Sequence, residues 1–172
     1  LGYAFMAALW HDAITGGPVV PPVDPCPSPI YIVEGLDGAV HKQNLLEAGD
    51  EYYNDAAFAL TNVPSELADG VWITQNNADN TSTDANYMTF DVGANPVTIY
   101  IAYDPAGGPP TSSETFAALG APLSSNLTTN DPSVGTFALV EAAGVTGSVT
   151  IGGTMSDLSG IARQGYLVIV VP

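Results

Sequence analysis

Hydrophobic and polar positions along this chain alternate in short blocks rather than in long helical stripes. Ile30-Tyr31-Ile32-Val33, Ala57-Phe58-Ala59-Leu60, Val71-Trp72-Ile73-Thr74 and Tyr87-Met88-Thr89-Phe90 are rich in β-branched and aromatic residues. Further blocks cover 97–103, 136–140, 148–151 and 166–171, with clusters of Gly, Pro, Asn and Asp between them. Short strands closed by turns at such spacing predict an all-β sandwich or barrel. In Val97-Thr98-Ile99-Tyr100-Ile101-Ala102-Tyr103, strand periodicity puts Val97, Ile99, Ile101 and Tyr103 on one face. The run Leu167-Val168-Ile169-Val170-Val171 is apolar on both faces and predicts a central strand. Helix is expected only as a turn or two, at 112–119 and 66–69.

The first 29 residues break this pattern. Residues 1–17 read LGYAFMAALWHDAITGG, and the first ten carry no charge. As a strand, Leu1, Tyr3, Phe5, Ala7 and Leu9 share one face, and Gly2, Ala4, Met6, Ala8 and Trp10 the other. As a helix, Leu1, Phe5, Leu9 and Trp10 cluster instead, with Gly16-Gly17 as the stop. Residues 18–29 hold six prolines, which cannot pair as a central strand and favour polyproline II. The expected fold is therefore all-β, a β-sandwich of about eight to ten strands over residues 30–172. An extended hydrophobic N-terminal arm (1–17) and a Pro-rich spacer (18–29) precede it.

Charge narrows the partners. Eighteen acidic residues face two basic ones, Lys42 and Arg163, for a formal net charge of −16. Such a surface repels nucleic-acid phosphates and anionic headgroups. With 46% hydrophobic and only 12% charged residues, the composition is that of a folded domain rather than an acidic disordered tail. No run approaches the roughly 20 apolar residues of a membrane span. A first residue other than Met and a surface rich in Ser, Thr, Asn and Gly fit a secreted protein, mature after signal-peptide removal, in the extracellular space or on a cell surface.

Several residue sets carry a resemblance. They are Gly49-Asp50-Glu51-Tyr52-Tyr53-Asn54-Asp55, Phe58, Val63-Pro64, Val71 to Asn77, Phe90-Asp91-Val92, Val97 to Asp104, Gly135-Thr136-Phe137, Val149 to Gly153 and Tyr166 to Val170. On these, residues 49–172 resemble a β-sandwich domain that recurs in large secreted bacterial and archaeal proteins. There it often stands beside fibronectin type III or carbohydrate-active modules. The resemblance implies an extracellular adhesive or accessory module and no reaction.

Candidate chemistry is thin. His11, Cys26 and His41 lie far apart, so no transition-metal site is expected. Asp79, Asn80, Asp84 and Asn86 share a loop that reads first as a solvated connection and second as a weak calcium site. No Gly-x-Ser-x-Gly, P-loop or CxxCH motif is present; no catalytic residue or cofactor is assigned, and an enzyme is not expected. Tyr52, Tyr53, Trp72, Tyr87, Tyr100 and Tyr103 are candidates for a sugar-stacking row, but strand position makes core packing the expectation. Asn80 and Asn126 each open an N-glycosylation sequon.

An exposed apolar arm must be buried somewhere. The leading expectation is a structural subunit of an extracellular filament or surface assembly, a homopolymer built by a donor-strand-like contact. Leu1, Tyr3, Phe5, Met6, Leu9 and Trp10 are its interface residues, and Cys26 is a candidate covalent link between subunits. The alternative is a carbohydrate- or surface-binding accessory module of a larger secreted protein, with glycans as partners.

Overall fold

The apolar blocks at 71–74, 97–103, 136–140, 148–151 and 166–171 all become strands. The computed structural model describes residues 32–35, 41–43, 45–68, 70–158 and 165–172. The arm and spacer, with Cys26, lie outside the described residues. The strands are β1 (Ile32–Gly35), β2 (His41–Gln43), β3 (Leu60–Asn62), β4 (Val71–Thr74) and β5 (Met88–Asp91). They continue with β6 (Val97–Tyr103), β7 (Asn126–Thr129), β8 (Thr136–Val145), β9 (Ser148–Ile151) and β10 (Tyr166–Val171). These ten form a seven-stranded antiparallel sheet, ordered β2-β4-β10-β6-β8-β7-β3, and a three-stranded one, ordered β1-β5-β9.

The larger sheet is buried on both faces. On one, Ile99, Ile101, Tyr103, Val140, Val168 and Val170 pack against Met88, Phe90, Val149 and Ile151 of the small sheet or the residues beside it. On the other, Trp72, Ala102, Phe137, Leu139, Leu167 and Ile169 pack against Leu46, Tyr52, Leu60, Leu67 and Leu127. The second layer comes from the chain that leads into and out of β3, with β7 curling over it. Each buried aliphatic or phenyl group stabilises by about 1.5–3 kcal/mol relative to exposure, so two such faces build a real core without disulfides.

β10 is fully buried from Tyr166 to Val170 between β4 and β6, as its two-faced apolar run requires. The alternation in β6 also holds: Val97, Ile99, Ile101 and Tyr103 all join the first core. Three expectations need correction. Residues 112–119 form no helix; Ser113 and Phe116 exchange bonds, Ser113 N–H to the Phe116 carbonyl and Phe116 N–H to Ser113 Oγ. The strand expected at 57–60 starts only at Leu60, because Ala59 makes just a single bridge to Glu51. β8 runs five residues past Val140, since β6 pairs with it as far as Val145. The turn expected at 66–69 is present as a 3-10 helix over Ser65–Leu67.

Candidate functional site

One end of the molecule gathers most of its polar chemistry. The connections after β4, β6, β7 and β9, and the approaches to β5, β8 and β10, all meet there, because Tyr103 pairs with both Tyr166 and Ala138. Among the described residues, the buried polar ones, Thr74, Gln75, Asp104, Thr129, Asp131, Thr154 and Asp157, all sit at or beside this end. None is a stray charge. Asp104 accepts from Ala106 N–H (2.9 Å), and Asp131 accepts from Ser133 N–H (2.7 Å) and the Tyr52 hydroxyl (3.1 Å). Asp157 accepts from Gly152 N–H (3.3 Å) and from Glu114 N–H. A buried carboxylate is tolerated when donors surround it, and these three pin loops to strands.

The loop 76–86 is held in the same way. Asn77–Thr81 is a short 3-10 helix, and Asp55 receives its first two N–H groups, Asn77 at 2.6 Å and Ala78 at 3.1 Å. The Tyr87 hydroxyl donates to Asp79 Oδ2 at 2.9 Å, and Asn86 N–H to Asp84 Oδ1 at 2.8 Å. On the far side, Ser156 Oγ donates to the Asp84 carbonyl (2.8 Å) and Gly153 N–H to the same oxygen (2.8 Å). Gly153 is required by this contact, since a Cβ would stand 2.6 Å from Ser82 backbone and side chain. Of the four residues weighed for calcium, Asp79 and Asp84 accept from within the fold, the Asn80 amide donates to Asn77 Oδ1 at 3.4 Å, and Asn86 donates its backbone N–H to Asp84. Among the described residues, no group of three or more His, Cys, Asp and Glu is placed to hold a metal.

The aromatic candidates are core. Tyr52, Tyr53, Trp72, Tyr87 and Tyr103 are all at most 3% exposed, and Tyr100 is half-buried against the second core. Tyr52 meets Phe137 edge-on, with ring centroids 5.4 Å apart. Burial raises the Tyr52, Tyr53, Tyr87 and Tyr166 hydroxyls above the ordinary tyrosine value, because a phenolate in these sites has lost its water. Among the described residues, the exposed large hydrophobics are Leu45 and Met155, so no stacking row is formed by them.

Of the sequon asparagines, Asn126 is exposed at the start of β7 and Asn80 is half-buried in the 3-10 helix. The interface residues Leu1, Tyr3, Phe5, Met6, Leu9 and Trp10 fall outside the described residues. Sequence reasoning missed Asp104, Asp131 and Asp157 as buried pins. The signal available was Asp two residues before Ala106 or Ser133 in a turn, a pattern too common on loops to single out.

No protein-family model matches this chain, and no curated protein matches it either. Among solved structures it is similar to a β-glucuronidase from glycoside hydrolase family 2, with a TM-score of 0.67 and 17% identity. That match covers 90% of this chain and 16% of the other. A GH138 enzyme targeting pectin rhamnogalacturonan II matches with a TM-score of 0.51 and 16% identity, over 97% of this chain and 19% of that one. The chain has the fold of a β-sandwich-like domain found within large glycoside hydrolases. It spans less than a fifth of the length of either enzyme.

Proposed function

We propose that this domain is a non-catalytic accessory module of a larger extracellular carbohydrate-active protein, and that its loop end contacts neutral glycan. The observation that carries the reading is the recurrence of this fold as a small part of two large glycoside hydrolases. The chemistry of the loop end supports it. Asp104, Asp131 and Asp157 accept from internal donors and so hold in place the loops that present this end's polar surface. Around them stand the exposed or half-buried polar groups of Asn76, Asn77, Asn80, Thr81, Ser82 and Asp84. Amides and carboxylates accept from sugar hydroxyls.

Charge selects among sugars. Eighteen acidic residues against two basic ones give the protein a formal net charge of −16, so its surface as a whole is anionic. Uronic acids and sulfated chains are repelled by such a face, and neutral chains are not.

Affinity electrophoresis of the intact protein in gels containing neutral polysaccharides (galactan, arabinan, glucan, mannan) tests the reading, with polygalacturonate as the anionic comparison. Retardation in at least one neutral gel, lost in Asn77→Ala/Asn80→Ala and without release of reducing sugar, is the expected result. Unretarded migration in every gel, or retardation by polygalacturonate alone, overturns it.

A further inference from the structure

The end of the sandwich opposite the loop end has a different chemistry. β1, β4, β6 and β9 begin there, and β2, β5, β8 and β10 finish there. The ladders set the order of residues along it. Leu46 N–H bonds the Gly70 carbonyl (3.1 Å), Val171 stands opposite Thr98, and Val97 stands opposite Val145. Leu45, Gly70, Val171, Pro96 and Val145 thus follow one another across β2, β4, β10, β6 and β8. At roughly 4.8 Å per strand the row is about 19 Å long. The turns 92–96 and 143–147 hold no ionisable residue, in a chain with 18 acids. Gly147 N–H bonds the Gly93 carbonyl (2.6 Å) and Val92 N–H the Gly147 carbonyl (3.0 Å), which joins the two turns into one platform. Ala94, Pro96, Ala143 and Pro172 are exposed at this end, and Val145 and Val171 are half-buried. The exposed acids Glu47 and Glu66 border the row on its β2 and β4 side.

Leu45 stands out in this row. Its φ is 51°, in the left-handed region, and its side chain is 56% exposed. Among the described residues, no other non-glycine residue has a positive φ. A bulky L side chain is strained in that region, and an apolar one gains nothing from facing water. The buried Leu46 side chain and its N–H bond to Gly70 hold the backbone in this shape. Asn would suit both the backbone and the solvent better, whereas leucine suits a surface that is covered.

We infer that this end docks against an adjoining folded domain of the same polypeptide, with Leu45 as its anchor. The inference rests on the reading of this chain as a module of a larger protein. Tethering selects the occupant. β1 enters at Ile32, opposite Asp91 beside the platform, and β10 leaves at Val171 within the row. A polypeptide that continues past either strand is therefore held at this end. The row, about 19 Å long, and the spacing of about 10 Å between packed sheets give a footprint of about 200 Å². That is several-fold below the roughly 800 Å² per partner that free association takes. A linked neighbour needs less, because linkage supplies an effective concentration in the millimolar range. Turns without ionisable groups also spare the contact the cost of desolvating carboxylates. Docking here leaves the loop end pointing away from the neighbour, open to glycan.

Hydroxyl-radical footprinting of this chain alone and of the longer polypeptide that contains it tests the inference. Modification of Leu45 and Pro96 is expected to be several-fold lower in the longer protein, with Met155, 54% exposed at the loop end, modified equally in both. Equal modification of Leu45 and Pro96 in the two proteins, or protection of Met155 in their place, overturns the inference. Leu45→Asn in the longer protein is expected to restore modification of Pro96, and in the chain alone to leave the unfolding midpoint unchanged or raised. Continued protection of Pro96, or a lowered midpoint in the chain alone, overturns Leu45 as the anchor. The glycan reading is judged apart from this one. Protection at Leu45 without retardation in neutral gels removes the glycan contact and keeps the docking face, and retardation with Leu45 unprotected does the reverse.

Discussion

The Tyr52 hydroxyl donates to Asp131 Oδ2 at 3.1 Å across 79 residues of sequence, and both groups are buried. The bond ties the segment ahead of β3 to the turn between β7 and β8, at the rim of the second core. Tyr52→Phe keeps the ring against Phe137 and removes the hydroxyl, which donates to Asp131 and accepts from Thr129 Oγ1 at 3.3 Å. Hydrogen bonds to charged groups contribute about 1.5–3 kcal/mol, so urea unfolding of Tyr52→Phe is expected to show a loss in that range with an unchanged m-value.

High pH acts on the same residues. Tyr52, Tyr53, Tyr87 and Tyr166 all have hydroxyls raised by burial, so the folded state holds their protons after the unfolded chain has released them. Their contribution is fully present below the unfolded tyrosine value near 10 and is lost progressively above it. Absorbance at 295 nm is expected to show these tyrosines ionising together with loss of near-UV circular dichroism. Their gradual ionisation with the fold intact would contradict the burial.

Both faces of the large sheet are equally demanding. Ile101→Ala opens a cavity in the first core and Ile169→Ala in the second, and each side chain is fully buried. Each is expected to cost about 2–5 kcal/mol in thermal or urea unfolding. Leu45→Ala, at a side chain 56% exposed, is expected to stay within about 0.5 kcal/mol of the parent.

Gly153 is a point of close approach between two loops. Gly153→Ala places a methyl group 2.6 Å from the Ser82 carbonyl, and the 82–86 and 152–157 loops must separate. A cost of about 1–3 kcal/mol is expected, with faster amide exchange at Gly153 and Met155, whose N–H groups bond Asp84 and Ser82. Gly153→Ala with parent-like exchange would show that the loops give way freely.

Asp55 is the capping group of the Asn77–Thr81 turn. Asp55→Ala removes the acceptor of two backbone N–H groups at an exposed site, with an expected loss of about 0.5–2 kcal/mol. Exchange at the Asn77 and Ala78 amides is expected to accelerate while β-strand amides stay protected.

Strand content was legible because its signals are local. Val71–Thr74, Val97–Tyr103, Ser148–Ile151 and Tyr166–Val171 form strands where the apolar blocks stand, since two-residue periodicity and β-branched side chains need no distant information. The core role of Trp72 and Tyr103 followed from their place in those blocks. The strands that were missed are polar. Asn126-Leu127-Thr128-Thr129 exposes or half-buries Asn126 and Thr128, and His41-Lys42-Gln43 holds no apolar residue; each is a strand because a neighbour offers its edge.

What the sequence alone determined is the all-β class, the central place of the last strand and the face each β6 side chain takes, because alternation is a property of the chain by itself. Tertiary structure decided the partners. β8 and β9 follow each other across Gly147 yet belong to different sheets, and the buried aspartates find donors as far as 79 residues away. Pairing and satisfaction of buried charge depend on which surfaces meet, and local pattern constrains neither; only the closed fold brings Asp131 to Tyr52.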